Sequence, residues 1–514
     1  MTTPGRKSVW FDLIYTTKRR EKWYVHLLFP HFLESKIMYT SRREFLACSG
    51  AAILGCCVSD LFARTSPVSG DLAEFVQSSK RDPRYFELAN GRPYIPIGLN
   101  MISPPWRDDD ELTKLENDWF KPLRDNHANF IRIWLSNQEY EVERERSGNF
   151  DEKRGRKLDK LLALARKYGI RLKLCTEHFR HLGEGNQPWA ARPMYLKTNG
   201  GPAENTRDFF TGEAGRALYR KKLDWYAERY GNDPIIFGWE LWNEMDAVGI
   251  PVDDVWPWST EMLAELHKRF PKNLAMQSLG SYDVENKKAR YRKLCELPGN
   301  DVLQVHRYLD LGASWKICSE PVAVLAAEAV KDLLALKIPK PALLAESGAV
   351  EPGHSGPFKL YQKDKHGIIL HDVLFAPFFA GAAGPGHIWH WDQYVAPNNL
   401  WFQFGRFAAA VEGLDPPAEN FQPFELDNER LYLYGLKGKT KTLVWCRDKR
   451  NTWRTELAEE QAPETLVDLA IDLDARGKRV RFYDPWENRR TDGKANGGTI
   501  VLPNFSRSLV VEIS

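Results

Sequence analysis

From about residue 84 onward, short apolar runs rich in β-branched and aromatic residues alternate with stretches whose apolar positions recur at helical spacing. Eight runs are candidate strands: Tyr94–Asn100, Asn129–Leu135, Arg171–Glu177, Ile235–Leu241, Leu274–Ser278, Val302–His306, Ala342–Glu346 and Gly386–Trp391. Between two of them Leu158, Leu161, Leu162 and Ala165 share one helical face, and the pattern stops at Gly169; Leu218–Tyr230 and Val322–Leu336 behave likewise. Strand–helix alternation predicts an α/β fold with a parallel sheet, and eight repeats predict a (β/α)8 barrel over residues 84–414. After Leu414-Asp415-Pro416-Pro417 the pattern changes. Arg430–Leu436, Thr442–Trp445, Arg479–Tyr483 and Ser508–Ile513 read as strands without intervening helices, with turn signals at Asp492-Gly493 and Gly497-Gly498. Residues 418–514 are therefore expected to form a small antiparallel β-sandwich.

The first sixty residues follow another logic. Ser41-Arg42-Arg43-Glu44-Phe45-Leu46 precedes a small, apolar stretch from Ala47 to Val58, the order of a secretory signal and too short to span a bilayer as a helix. Twin arginines followed by Phe-Leu resemble the twin-arginine export signal, which implies delivery to the periplasm or beyond. Ile53-Leu54-Gly55-Cys56 resembles a lipobox, so Cys56 is either a lipid anchor or a small apolar residue of the signal. Residues 1–37 show no clear period; translation is expected to start at Met38, with 38–63 as the signal segment.

Composition narrows the partners. The chain of 514 residues carries 72 basic and 69 acidic side chains, a formal +3, and residues 1–63 hold nine basic and five acidic of these, leaving the rest at −1. No electrostatic footprint for nucleic acid follows, and a monomer is expected. Eighteen Trp, 19 Tyr and 26 Phe suit cores, and also stacking on sugars. Beyond the signal segment the cysteines are Cys175, Cys295, Cys318 and Cys446, with no CxxC or zinc spacing, so buried thiols are expected.

In a barrel of this kind the chemistry sits at the carboxyl ends of the strands. The fourth run ends Trp239-Glu240-Leu241-Trp242-Asn243-Glu244 and the seventh Leu344-Ala345-Glu346-Ser347-Gly348. An ionisable group after a buried strand is costly unless it faces a cleft, and two suggest a pair. Cleaving a glycosidic bond with retention needs an acid at the leaving oxygen and a second carboxylate about 5 Å away. No Gly-x-Ser-x-Gly is present, and three-residue spacing sends His387 and His390 to opposite faces of a strand, so no metal and no cofactor are expected.

With the acids stand Arg132 in the second run, His178 after the third, Asn243 after the fourth, His306 with Tyr308 at the end of the sixth, and Trp389 or Trp391 in the eighth. The set resembles the retaining glycoside hydrolases of clan A, most closely family 5, the cellulase and mannanase family, over about residues 84–410. The resemblance implies that Glu244 is the acid/base and Glu346 the nucleophile. It also implies that Arg132 and Tyr308 steady Glu346, that Asn243 holds the sugar 2-hydroxyl, that His178 and His306 tune Glu244, and that a Trp floors the reacting sugar. Each histidine alone is as well read as a core imidazole.

Trp239-Glu240-Leu241 is similar to the run before the acid in β-mannanases, which favours β-1,4-mannan, and the tryptophans of the loops favour endo-action; a β-glucan endoglucanase or an exo-acting β-glycosidase are the alternatives in the same clan. Trp106, Trp189, Trp256, Trp258 and Trp315 are candidates for further sugar subsites, and Glu177 and Asp392 for substrate contacts. Ser347-Gly348 stands where Phe-Gly is commoner in the family. A carbohydrate-binding barrel without turnover is the alternative from another class.

Overall fold

A computed structural model describes residues 71–102, 111–178 and 190–514, together with the backbone of three short strands before them. Those three, Ile14–Arg19, Lys22–Leu27 and Ser35–Tyr39, form an antiparallel sheet by themselves in the stretch read as lacking a period. The twin-arginine segment and Cys56 lie outside the described residues.

Residues Ser69–Ser514 make one compact unit. Its centre is a run of parallel strands: β1 (Gly98–Asn100), β2 (Phe130–Trp134), β3 (Arg171–Glu177), β4 (Ile236–Trp242) and β5 (Leu274–Met276) pair in that order, and β6 (Leu303–Asp310) pairs with β7 (Ala342–Val350). Asp301 N–H donates to the Ala275 carbonyl (2.9 Å) and Tyr282 N–H to that of His306 (2.7 Å), so β5 and β6 are tied at both ends. Ile388 bridges Ser347 of β7 in parallel, and its carbonyl accepts from Asn100 N–H of β1 at 3.1 Å. The eighth run, expected over Gly386–Trp391, is thus a single bridge: His390 leaves the extended conformation and Trp391 opens a π-helical turn, Trp391–Val395. β6 and β7 run four residues past their expected ends, because Tyr308 still pairs with Gly348 and Asp310 with Val350.

The helices follow from local signals. Glu152–Tyr168 begins where the Asp151 carboxylate accepts the Lys153 N–H and ends at Gly169 in the left-handed region (φ 68°), with Leu158, Leu161, Leu162 and Ala165 buried on its inner face. Ile368–Phe379 is buried on every side. The reason is the C-terminal antiparallel sheet, ordered Gln422–Leu426, Leu431–Lys437, Thr442–Asp448, Ser508–Ile513, Val480–Asp484 and Arg489–Gly493, which packs on that helix. Its residues alternate with period two: Tyr434, Leu436, Trp445 and Val510 join the main core, while Leu433, Val444, Cys446 and Val511 belong to a second, smaller one. Phe375 lies 5.8 Å from Trp445, and the buried Arg447 Nε donates to Asp372 at 2.7 Å. Two further small sheets, of three and two strands, complete this part. Cys175, Cys295, Cys318 and Cys446 are free and buried, and no helix among the described residues is long and apolar enough to cross a membrane.

Candidate active site

The inner side of the parallel strands carries polar residues. Asn100, Arg132, Lys173, Glu240, Gln304 and His306 are all essentially inaccessible. Buried charges survive only when paired and hydrogen-bonded, and here Arg132 is the junction. Its guanidinium donates twice to Glu240, Nε to Oε2 at 2.8 Å and Nη2 to Oε1 at 2.9 Å; it also donates to Asn243 Oδ1 at 2.7 Å and to Glu346 Oε1. Glu240 is further held by Lys173 Nζ (2.9 Å) and by the Ser278 hydroxyl (2.5 Å). Burial works against the Glu240 charge, but Arg132 and Lys173 outweigh it and lower its pKa to about 2.

Glu346 lies on β7 and is 2% exposed. Besides Arg132 it accepts from the Tyr308 hydroxyl, Oη to Oε2 at 2.9 Å. Residues 304, 306 and 308 fall on one side of β6 by strand parity, which aims His306 and Tyr308 into the same space. Glu244, just past β4, is partly exposed and has a left-handed backbone (φ 50°), a conformation costly for a residue with a Cβ. Its N–H donates to Ser278 Oγ at 3.1 Å. His306 Nδ1 stands between the two acids, 3.0 Å from Glu244 Oε1 and 3.4 Å from Glu346 Oε2.

The two carboxyls differ in surroundings. Burial, the neighbouring Glu346 charge and Asp246 all push the Glu244 pKa well above its ordinary value. Burial also raises Glu346, and Arg132 and the Tyr308 hydroxyl offset that only in part. The first proton taken up by the pair therefore sits on Glu244, the carboxyl without a cation in contact. Burial, with Arg132 nearby, drives the His306 pKa well down and keeps the ring neutral. One ligand atom from each of Glu244, His306 and Glu346 lies within 4.8 Å of the others, so these three residues have the spacing to hold a divalent ion.

The other expected residues lie around this centre. His178 stacks on Trp134 (4.8 Å between centroids, 9° between planes), its Nδ1 2.5 Å from Ser136 Oγ. Trp389 is half-buried, with its ring 5.0 Å from that of Trp134, so it belongs to the same aromatic wall. Trp391 does not: it is buried edge-on to Trp119, at 4.8 Å. Asn243 receives the Arg132 bond on its oxygen, and its buried Nδ2 has no hydrogen-bond partner among the described residues.

Some expected contacts are ruled out. Trp256 and Trp258 are buried in the helix Val252–Arg269, not in a loop, and Glu177 is buried in an ion pair with Lys222 (2.7 Å). Trp106 and Trp189 lie outside the described residues. Sequence reasoning misses Lys173 and Ser278; the signal for Lys173 is a charge between the apolar Leu172 and Leu174.

No known family profile matches the chain. It is similar to mannan endo-1,4-beta-mannosidase 7 of Arabidopsis thaliana, 25% identical over 248 residues that cover 43% of this chain and 56% of that protein. It is also similar to mannan endo-1,4-beta-mannosidase 3 of Oryza sativa subsp. japonica, 35% identical over 108 residues, 19% of this chain and 22% of that one. The chain thus spans less than two thirds of the length of either curated relative. Among solved structures, a candidate glycoside hydrolase from Bacteroides vulgatus matches with a TM-score of 0.53 at 12% identity, over 96% of this chain and 88% of that one. That match establishes a shared fold.

Proposed function

We propose that the chain is a retaining glycoside hydrolase acting on β-linked polysaccharide, with β-1,4-mannan as the substrate. The observation that carries this reading is the pair of carboxyls, with oxygens within 4.8 Å of each other, one held by Arg132 and Tyr308 and the other without a cation contact among the described residues. Such a spacing suits direct attack on an anomeric carbon and leaves no room for the water that an inverting enzyme places between its acids. The parallel strands, linked from β5 to β6 and from β7 through Ile388 to β1, are taken to close a (β/α)8 barrel around the pair.

Glu346, kept ionised by the guanidinium, attacks the anomeric carbon while protonated Glu244 gives its proton to the leaving oxygen. Forming the ester consumes the Glu346 charge, and with it one of the causes that raised Glu244. The Glu244 pKa then falls, and its carboxylate can take a proton from the water that cleaves the ester. The Asn243 amide, with its free Nδ2, donates to the sugar 2-hydroxyl, and Trp389 with Trp134 offers the apolar floor. His178 and His306 line the polar edge. The mannan assignment rests on the Trp239-Glu240-Leu241 run and on the mannosidases that the chain resembles. Export by a twin-arginine signal is part of the same proposal, since a polysaccharide is met outside the cytoplasm.

Incubating the protein with mannan, β-glucan, xylan and aryl glycosides tests this. Mannan should yield reducing ends, and Glu346→Ala should abolish them while oligosaccharide binding persists. Binding without release by the unaltered protein would leave a non-catalytic carbohydrate-binding barrel.

A further inference from the structure

We propose that His354, oriented by Asp310 at the rim beside Tyr308, binds the sugar unit adjacent to the one that reacts; this rests on the glycosidase reading above. Asp310 ends β6 and is 3% exposed. Its Oδ1 accepts from Gly312 N–H at 2.8 Å and from Gly353 N–H at 2.9 Å, which fastens the loop after β7 to the loop after β6. Its other oxygen lies 3.6 Å from His354 Nδ1. The imidazole meets the Tyr308 ring edge to face, with centroids 4.8 Å apart and planes at 83°, and the Tyr308 hydroxyl is bonded to Glu346. His354 is therefore one aromatic ring away from the nucleophile.

Its exposure sets it apart. The His354 side chain is 41% accessible, whereas His306 and His390 are buried. The backbone there is left-handed at two successive residues, Gly353 (φ 72°) and His354 (φ 60°), although a second glycine would relieve the strain. The two glycine N–H bonds already hold Asp310 and the loop, so the imidazole is not needed as a fastening. Burial lowers the His354 pKa, with Asp310 opposing, so the ring stays neutral; with Nδ1 turned to Asp310, Nε2 is left as an acceptor. That acceptor suits a hydroxyl of a pyranose.

The test uses the full chain carrying Glu244→Gln, titrated with mannotetraose, cellotetraose and methyl β-mannoside by calorimetry. Adding His354→Gly, which removes the side chain and fits the backbone, should weaken tetraose binding about tenfold, leave methyl β-mannoside unchanged and not lower Tm. In the enzyme with Glu244 intact, the same substitution should raise KM for the tetraose and spare kcat on an aryl monoglycoside. His354→Asn, which tolerates the left-handed backbone, should recover part of the loss. Tetraose binding and KM unchanged by His354→Gly, in a protein that cleaves the tetraose, would overturn this inference alone. A protein that neither binds nor cleaves any of the sugars would overturn the glycosidase reading and this inference with it.

Discussion

Glu346 and Glu244 are the same residue type in one pocket, and the difference between them is made by their neighbours. Arg132 and Tyr308 donate to Glu346; Glu244 has His306 and the repulsion of Glu346. Tyr308→Phe removes a donor from the nucleophile's charged form, so the Glu346 pKa rises. The acid limb of kcat/KM should then move to higher pH, with the basic limb, set by Glu244, left in place; a pH–rate profile from pH 3 to 9 reads both. Glu244→Gln keeps the shape and loses the proton, and should cost about 10²–10⁴-fold in kcat on substrates with poor leaving groups, with far less effect on activated aryl glycosides. The divalent-ion spacing of Glu244, His306 and Glu346 bears on the same pair. In the proposed mechanism the two carboxyls act without an ion, so dialysis against EDTA should leave the rate unchanged.

At the scale of elements, β4 holds the acid motif and also Glu240, which keeps Arg132 in place. The Glu240 pKa is lowered in the folded protein to about 2 from an unfolded value of about 4.3. Its stabilisation, on the order of 3 kcal/mol, is thus fully present above pH about 4.3 and lost as pH falls through about 2. Glu240→Gln leaves Arg132 and Lys173 facing each other with one carboxylate fewer, and should lower stability at pH 7 by about 3–5 kcal/mol, read by denaturant unfolding, with the loss shrinking as the pH falls below about 4. Much of this centre could be read from the chain, because a polar residue that ends an apolar strand has few places to go: Arg132, Asn243, Glu244, His306, Tyr308 and Glu346 all fall around one space. Lys173 shows only as a charge between two leucines, and its pairing is hidden because its partner Glu240 is on a neighbouring strand, 67 positions further on. Trp391 was indistinguishable from Trp389 until the chain turned at His390. In the sequence, Pro251 and Pro257 mask the helix that buries Trp256 and Trp258.

Across the whole molecule, the C-terminal sheet covers the fully buried helix Ile368–Phe379, and the Asp372–Arg447 pair crosses that interface without solvent. Asp372→Ala would strand the Arg447 charge and should cost about 3–5 kcal/mol of stability, seen as a lower Tm in calorimetry. Neither Asp372 nor Arg447 bonds to Arg132, Glu244, His306, Tyr308 or Glu346, so kcat at low temperature should stay near that of the unaltered protein. The account as a whole stands on Glu346 becoming covalently bound to sugar. Incubation with 2-deoxy-2-fluoro-β-mannosyl fluoride, followed by proteolysis and mass mapping, should give inactivation with one fluorosugar attached, on the peptide containing Glu346. Attachment to another carboxylate, or inversion of the anomeric centre in the first-formed product with no attachment at all, would contradict it.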